Sequence, residues 1–146
     1  MKLNYTFSEQ TILEDNVVLL RPLQHSDVEN LLEISENEPE TWEYSLVRAN
    51  GKANLINYIQ IAIEAKAKGT EFPFIVLDKK SGKYAGSTRF YDINFNFKTL
   101  QLGYTWYGKS FRGTGLNWKK TKTSTPVNKI KNCIGTLSMP FIIKPI

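Results

Sequence analysis

Residues 102–117 run Leu102-Gly103-Tyr104-Thr105-Trp106-Tyr107-Gly108-Lys109-Ser110-Phe111-Arg112-Gly113-Thr114-Gly115-Leu116-Asn117. With Leu100 just upstream, Leu102, Tyr104 and Trp106 fall at every second position, the spacing of a strand with one buried face. The second half is a turn holding Gly108, Gly113 and Gly115, three glycines in eight residues. Glycine permits close backbone approach and positive φ, so successive N–H groups there can converge on an anion. A helix opening at the turn would add its dipole, which makes phosphate the natural guest. Arg112 beside it offers a planar, permanently charged fork suited to phosphate oxygens. By itself the turn specifies no family, since it lacks the Gly-Lys-Ser/Thr ending of a P-loop and the glycine spacing of a dinucleotide fold.

Upstream of this stretch, Phe72-Pro73-Phe74-Ile75-Val76-Leu77 predicts a strand, Asp78–Lys83 a polar hairpin turn, and Tyr84–Tyr91 the returning antiparallel strand. A second turn around Asn94–Lys98 leads into a third meander strand, Thr99–Tyr107. Farther back, Leu55, Ile56, Ile59, Ile61, Ala62 and Ile63 recur at helical spacing between Lys52 and Lys68, and Gly69 stands where a C-cap glycine belongs. Asn16–Arg21 is a β-branched, apolar run that ends at Pro22 and reads as a strand. Ser26 and Asp27 then sit at a helix N-cap, followed by Val28, Leu31, Leu32 and Ile34 every three to four residues. Ser35–Glu40 reads as a polar loop, and Trp42, Tyr44, Leu46 and Val47 form a short apolar cluster whose conformation the pattern leaves open. The order is strand, two helices, three-stranded meander and glycine turn. That predicts an α+β fold, a mixed and mainly antiparallel sheet flanked by helices.

The remaining composition narrows the function. At 146 residues, 41% apolar and 23% charged, the chain has the make-up of a soluble single domain. No run reaches the roughly 18 apolar residues of a membrane span, and Met1–Tyr5 holds no apolar signal core, so the cytoplasm is the expected location and no membrane partner is expected. One cysteine, Cys133, and one histidine, His25, argue against an internal disulfide and a zinc site. Charge is unevenly spread. Residues 1–117 hold 13 Lys and Arg against 14 Asp and Glu, a net of 13 − 14 = −1, while residues 118–146 hold 6 lysines and no acid, a net of +6. Nucleic-acid binding requires a basic face on a folded body, and this body is nearly neutral, so nucleic acid is not the expected partner.

Taken together, these segments resemble the GNAT superfamily of N-acetyltransferases, and within it the branch of the ribosomal-protein N-terminal acetyltransferases RimJ and RimL. That family's acetyl-coenzyme A signature is Gln or Arg, two residues, Gly, one residue, then Gly or Ala; Arg112-Gly113-Thr114-Gly115-Leu116-Asn117 fits it at every position but the last. Leu102–Tyr107 resembles the branch's fourth strand, Leu19-Leu20-Arg21-Pro22-Leu23 with Ser26-Asp27 its first strand and the start of its first helix, and Tyr84-Ala85-Gly86-Ser87 its third strand. The resemblance implies transfer of acetyl from acetyl-coenzyme A, as co-substrate and without a metal, to a primary amine, either a small molecule or a protein N-terminus, in a ternary complex. It implies that the backbone N–H groups of Arg112, Gly113, Thr114, Gly115, Leu116 and Asn117 hold the pyrophosphate, with the Arg112 side chain as a further contact. Leu102, Gly103, Tyr104 and Thr105 would pair with the pantetheine amides, and a strand N–H there would polarise the thioester carbonyl.

Two departures from the family pattern bear on activity. A glutamate common on this strand is replaced by Gln101, which is no base near neutral pH. Glu43 and Tyr44, in the loop that borders the acceptor groove in the family, are the remaining candidates for proton transfer. After Asn117 the family requires a long amphipathic helix and further strands; only residues 118–146 follow, with Pro126 among β-branched and hydroxyl residues. The expected organisation is therefore a GNAT-like acetyl-coenzyme A-binding part over 1–117 and a basic, atypical tail over 118–146, with the C-terminal half of the fold incomplete. A catalytically inactive, truncated remnant of the family or a coenzyme-binding module is the alternative. His25 is expected to cap a helix or face solvent, Trp42, Trp106 and Tyr107 to pack in the core or a groove wall, and Cys133 to be an incidental thiol.

Overall fold

The computed structural model of the chain describes residues 12–14, 16–94, 99–111 and 142–144. They build a sheet in the order β1 (Leu13–Glu14), β2 (Val18–Pro22), β3 (Phe72–Asp78), β4 (Lys83–Asn94), β5 (Thr99–Tyr107) and β6 (Ile142–Lys144). Strands β1 to β5 pair antiparallel in sequence order, and β6 joins β5 in parallel. Helices α1 (Asp27–Asn37) and α2 (Lys52–Ala67) fill the connection from β2 to β3, with a 3-10 turn over Pro39–Trp42 between them. A second 3-10 turn, Lys109–Phe111, follows β5.

The pleat of β3 explains where the core lies. Ile75 packs on one face with Leu23, Leu31, Trp42, Leu55, Ile59 and Trp106, the side the helices cover. Its neighbours Phe74 and Val76 point to the other face, among Leu20, Phe90, Leu100, Leu102 and Phe111. A strand buried on both faces loses the apolar-polar alternation, which is why Phe72–Val76 reads as one continuous apolar run. The α+β order, the two helices and the meander agree with the sequence pattern, and Gly69 at φ +75 ends α2, its N–H bonding the Lys66 carbonyl.

Local boundaries differ from expectation where tertiary contacts prevail over composition. Ser35–Asn37 continue α1 rather than forming a loop, because the buried Ser35 hydroxyl donates to the Ala49 carbonyl. Ser26 precedes the helix without a side-chain capping bond. On α2 the buried stripe is Leu55, Tyr58, Ile59 and Ala62, whereas Ile56 and Ile61 face solvent. Strand β4 runs on to Asn94, and β1 and β6 had no counterpart in the predicted order.

Candidate active site

Strand β5 does not run evenly against β4. Ser87 faces Trp106 and Arg89 faces Gly103, so Tyr104 and Thr105 together stand opposite Thr88. This is a β-bulge, which takes one residue out of the ladder and frees its N–H from the partner strand. Tyr104 adopts φ +51 to make it. Left-handed backbone under a bulky side chain costs on the order of 1–3 kcal/mol and persists only where surrounding contacts enforce it.

Those contacts come from β4 and α2. The Arg89 guanidinium lies 4.3 Å from the Tyr104 ring centre and 5.0 Å from that of Tyr58, and its Nη1 donates to Glu71 at 2.8 Å. Tyr91 packs edge-on against Tyr104 at 5.3 Å, the Tyr58 hydroxyl donates to the Tyr104 carbonyl at 3.4 Å, and the Thr88 and Thr105 hydroxyls bond each other at 2.7 Å. Arg89 is only 4% exposed. Burial alone would lower its pKa, but Tyr58 and Glu71 outweigh burial and hold the guanidinium above its ordinary value, so it is a fixed cation.

Beside the bulge lies a cavity of about 240 Å³. Its aromatic residues are Trp42, Tyr58, Tyr104 and Trp106, its aliphatic ones Leu46 and Val47, and Thr41, Ser45 and Thr105 add hydroxyls. Trp42 and Trp106 meet edge to face with ring centres 4.9 Å apart. The indole N–H groups of both are buried and have no partner among the described residues.

Among the described residues, the edge of β5 away from β4 is covered by a strand only in part. The described part of β6 pairs with Thr99, Leu100 and Gln101 only, so from Leu102 onward β5 has a described strand partner on the β4 side alone. Such an edge offers N–H and C=O groups to an extended, amide-bearing ligand. Of the residues singled out in the sequence, Leu102 and Gly103 are buried in β5, while Tyr104 and Thr105 sit at the bulge and line the cavity. Glu43 and Tyr44 follow the Pro39–Trp42 turn; both are exposed, Tyr44 to 93%, and neither lines the cavity. Gln101 is held away from it by Tyr91, whose hydroxyl bonds its Oε1 at 2.9 Å, and by Asp92, which accepts from its Nε2 at 2.8 Å. Arg112, Gly113, Thr114, Gly115, Leu116 and Asn117 lie outside the described residues.

Sequence reasoning missed the bulge, because the residue at positive φ is a tyrosine and no glycine marks it. It also missed Tyr58, although that residue falls three after Leu55 on the buried stripe of α2 and could have been found by extending the helical period.

Residues 18–123 match the family model described as an acetyltransferase (GNAT) domain. No match to a curated protein was found by sequence. Among solved structures, the chain is similar to a GCN5-related N-acetyltransferase from Brucella melitensis, at 22% identity and TM-score 0.62 over 75% of this chain and 51% of that one. It is similar to an acetyltransferase from Salmonella typhimurium that modifies the N-terminal serine of ribosomal protein L7/L12, at 19% identity and TM-score 0.62 over 87% and 67%. It is also similar to the microcin C7 self-immunity acetyltransferase MccE, solved in complex with acetyl-CoA and AMP, at 18% identity and TM-score 0.62 over 84% and 63%. At these identities the likeness is one of fold, and the chain spans only 51 to 67% of the lengths of those three. No helix among the described residues is long and apolar enough to cross a membrane.

Proposed function

The chain belongs to the GNAT acetyltransferase family, and from that premise we propose that it transfers the acetyl group of acetyl-coenzyme A to a primary amine, a small molecule or a protein N-terminus, in the cytoplasm. The observation that carries this reading is the β5 bulge, which stands beside an aromatic cavity on a strand that has, from Leu102 onward, no described strand partner opposite β4. Acetyl-coenzyme A supplies a thioester, whose carbonyl is open to attack by an amine. Leu102 and Gly103 would pair with the pantetheine amides along the free edge, and a bulge N–H at Tyr104 or Thr105 would donate to the thioester oxygen. A fixed donor aimed at developing negative charge is worth about 3–4 kcal/mol of transition-state stabilisation. Residues 112–117, which follow the Lys109–Phe111 turn directly in the sequence, would receive the pyrophosphate on their backbone N–H groups.

The cavity would hold the amine against the bulge. Its nitrogen lone pair attacks the carbonyl carbon, the C–N bond forms, the C–S bond breaks, and the proton shed by nitrogen leaves through water as the thiolate is protonated. Glu43 and Tyr44, in solvent one and two residues beyond Trp42, are the proposed relay for that proton. Residues 1–117 would form the coenzyme-binding part and 118–146 a basic extension of it.

One observation favours a second reading, a coenzyme-binding module without turnover. Gln101 stands where a base is common in the family, and its amide is locked to Tyr91 and Asp92. Thermal unfolding with acetyl-coenzyme A, followed by thiol release with a panel of amines, separates the two. A ligand at one hundred times its Kd adds about 2.7 kcal/mol of stability, a rise in Tm of several degrees for a chain of this size. A rise with thiol release supports the transferase. A rise without release supports the module, and no rise at saturating coenzyme rejects both.

A further inference from the structure

Resting on that reading, we propose that the amine accepted here is carried on an aromatic ring by a short chain, and that polyamines and other polycations are excluded. None of the described residues lining the cavity is charged. A polycation entering it would lose water without gaining a carboxylate, and burying an unpaired charge is strongly unfavourable. The charge that does stand behind the lining is a cation. Arg89 covers one face of both Tyr58 and Tyr104, opposing the approach of an ammonium to their other faces. Its partner Glu71 is engaged by that same guanidinium at 2.8 Å. An aromatic lining can hold a cation by ring faces alone, but Trp106 meets Trp42 and Tyr58 in crossed, edge-to-face packing, at 4.9 and 6.4 Å, rather than leaving four faces around an open box.

Apolar chemistry is favoured by the same residues. Leu46 lines the cavity and is fully exposed, and Tyr104 is nearly half-exposed, so an apolar rim continues into the aromatic interior. A volume of about 240 Å³ falls below the roughly 300–1,000 Å³ of sites for drug-sized ligands, leaving room for one ring and a short arm. A ring placed there meets Trp42 and Trp106 in offset or edge contact.

The test is equilibrium titration of intrinsic tryptophan fluorescence with 2-phenylethylamine and with spermidine, without coenzyme, repeated on Leu46→Glu. Leu46 is exposed, so its replacement leaves the fold intact. Wild type is expected to bind 2-phenylethylamine at least tenfold more tightly than spermidine. Leu46→Glu places a carboxylate at the rim and should tighten spermidine roughly two- to fivefold while weakening the arylalkylamine. Equal or tighter binding of spermidine by wild type, no saturable response to 2-phenylethylamine, or an unchanged ratio in the variant overturns the proposal. Thiol release from acetyl-coenzyme A with 2-phenylethylamine, spermidine and a tripeptide beginning with phenylalanine then distinguishes a small amine from a protein N-terminus. Selective binding with no release from any of them rejects the transferase and leaves the cavity's preference standing.

Discussion

Asp27 is fully buried, and four donors meet at its carboxylate: Arg21 Nη1 at 2.9 Å and Nη2 at 2.6 Å, the Gln24 backbone N–H at 2.8 Å and Asn30 Nδ2 at 2.8 Å. This cluster pins the corner where β2 hands over to α1, and the Asp27 bonds raise the Arg21 pKa above its ordinary value despite the opposing cost of burial. Breaking a buried pair by removing one partner costs about 3–5 kcal/mol; Arg21 is 23% exposed, which puts Asp27→Ala near the lower end, about 3 kcal/mol. The urea midpoint should fall with an unchanged slope, and a drop equivalent to less than 1 kcal/mol would mean that solvent already satisfies Arg21. Tyr107 gives a second prediction. Burial pushes its phenol from 10 up to about 12, so folding favours the protonated ring. That contribution is complete below pH 10, is lost as pH rises toward 12, and amounts to about 3 kcal/mol. Tyr107→Phe should flatten the stability profile between pH 10 and 12 while leaving its slope near pH 8 unchanged. Of these two sites, Ser26-Asp27 reads locally as a cap, which located the start of α1 although Ser26 makes no side-chain capping bond. The bonding of Asp27 back to Arg21 was hidden, since it depends on how tightly the chain turns at Leu23 and Gln24.

At the scale of the element, β5 repeats the lesson. Its period-two apolar pattern located the strand at Thr99–Tyr107, the bounds observed, because alternation follows from the pleat alone. The bulge inside it comes from side chains on three other segments: Arg89 and Thr88 on β4, Tyr58 on α2, and Glu71 before β3. No window of sequence contains them all. The close approach of β4 to the strand just past the bulge also has a single-residue test. A Cβ on Gly86 would lie 1.9 Å from the Trp106 carbonyl oxygen and 3.0 Å from the Tyr107 Cα, both backbone atoms that cannot swing aside. Gly86→Ala must therefore push the strands apart where the bulge begins. Overpacking of this kind costs about 1–3 kcal/mol or more. The Tm should fall, and the KM for acetyl-coenzyme A should rise more than kcat falls, because the displaced edge is the one proposed to bind pantetheine. An unchanged KM in a folded variant would detach the bulge from coenzyme binding.

For the whole molecule, charge and topology divide the chain differently. Counting charges sets residues 118–146 apart as a +6 segment, yet Ile142–Lys144 lie in that segment and form β6, paired in parallel with Thr99–Gln101 of the same sheet. Composition obscured this because a three-residue strand has no measurable period, and a parallel partner requires a long crossover that places it far from its neighbour in sequence. The pairing has a consequence for the sheet edge. Leu100 is fully buried on a strand whose outer side would otherwise be a row of unpaired backbone groups, the arrangement that exposes a sheet to added strands and aggregation. Deleting residues 141–146 should therefore act locally. In native-state hydrogen exchange, the amides of Thr99–Gln101 that face β6 should lose protection, while those in the middle of α1 and α2 keep theirs, because the helices pack on β3 and Trp106. Light scattering should show association appearing with the deletion, as the bared edge seeks a partner. Retained protection at Thr99–Gln101 would mean that β4 alone holds this end of β5. Loss of protection across both helices would mean instead that β6 closes the whole fold, so that the basic segment belongs to the domain energetically as well as spatially.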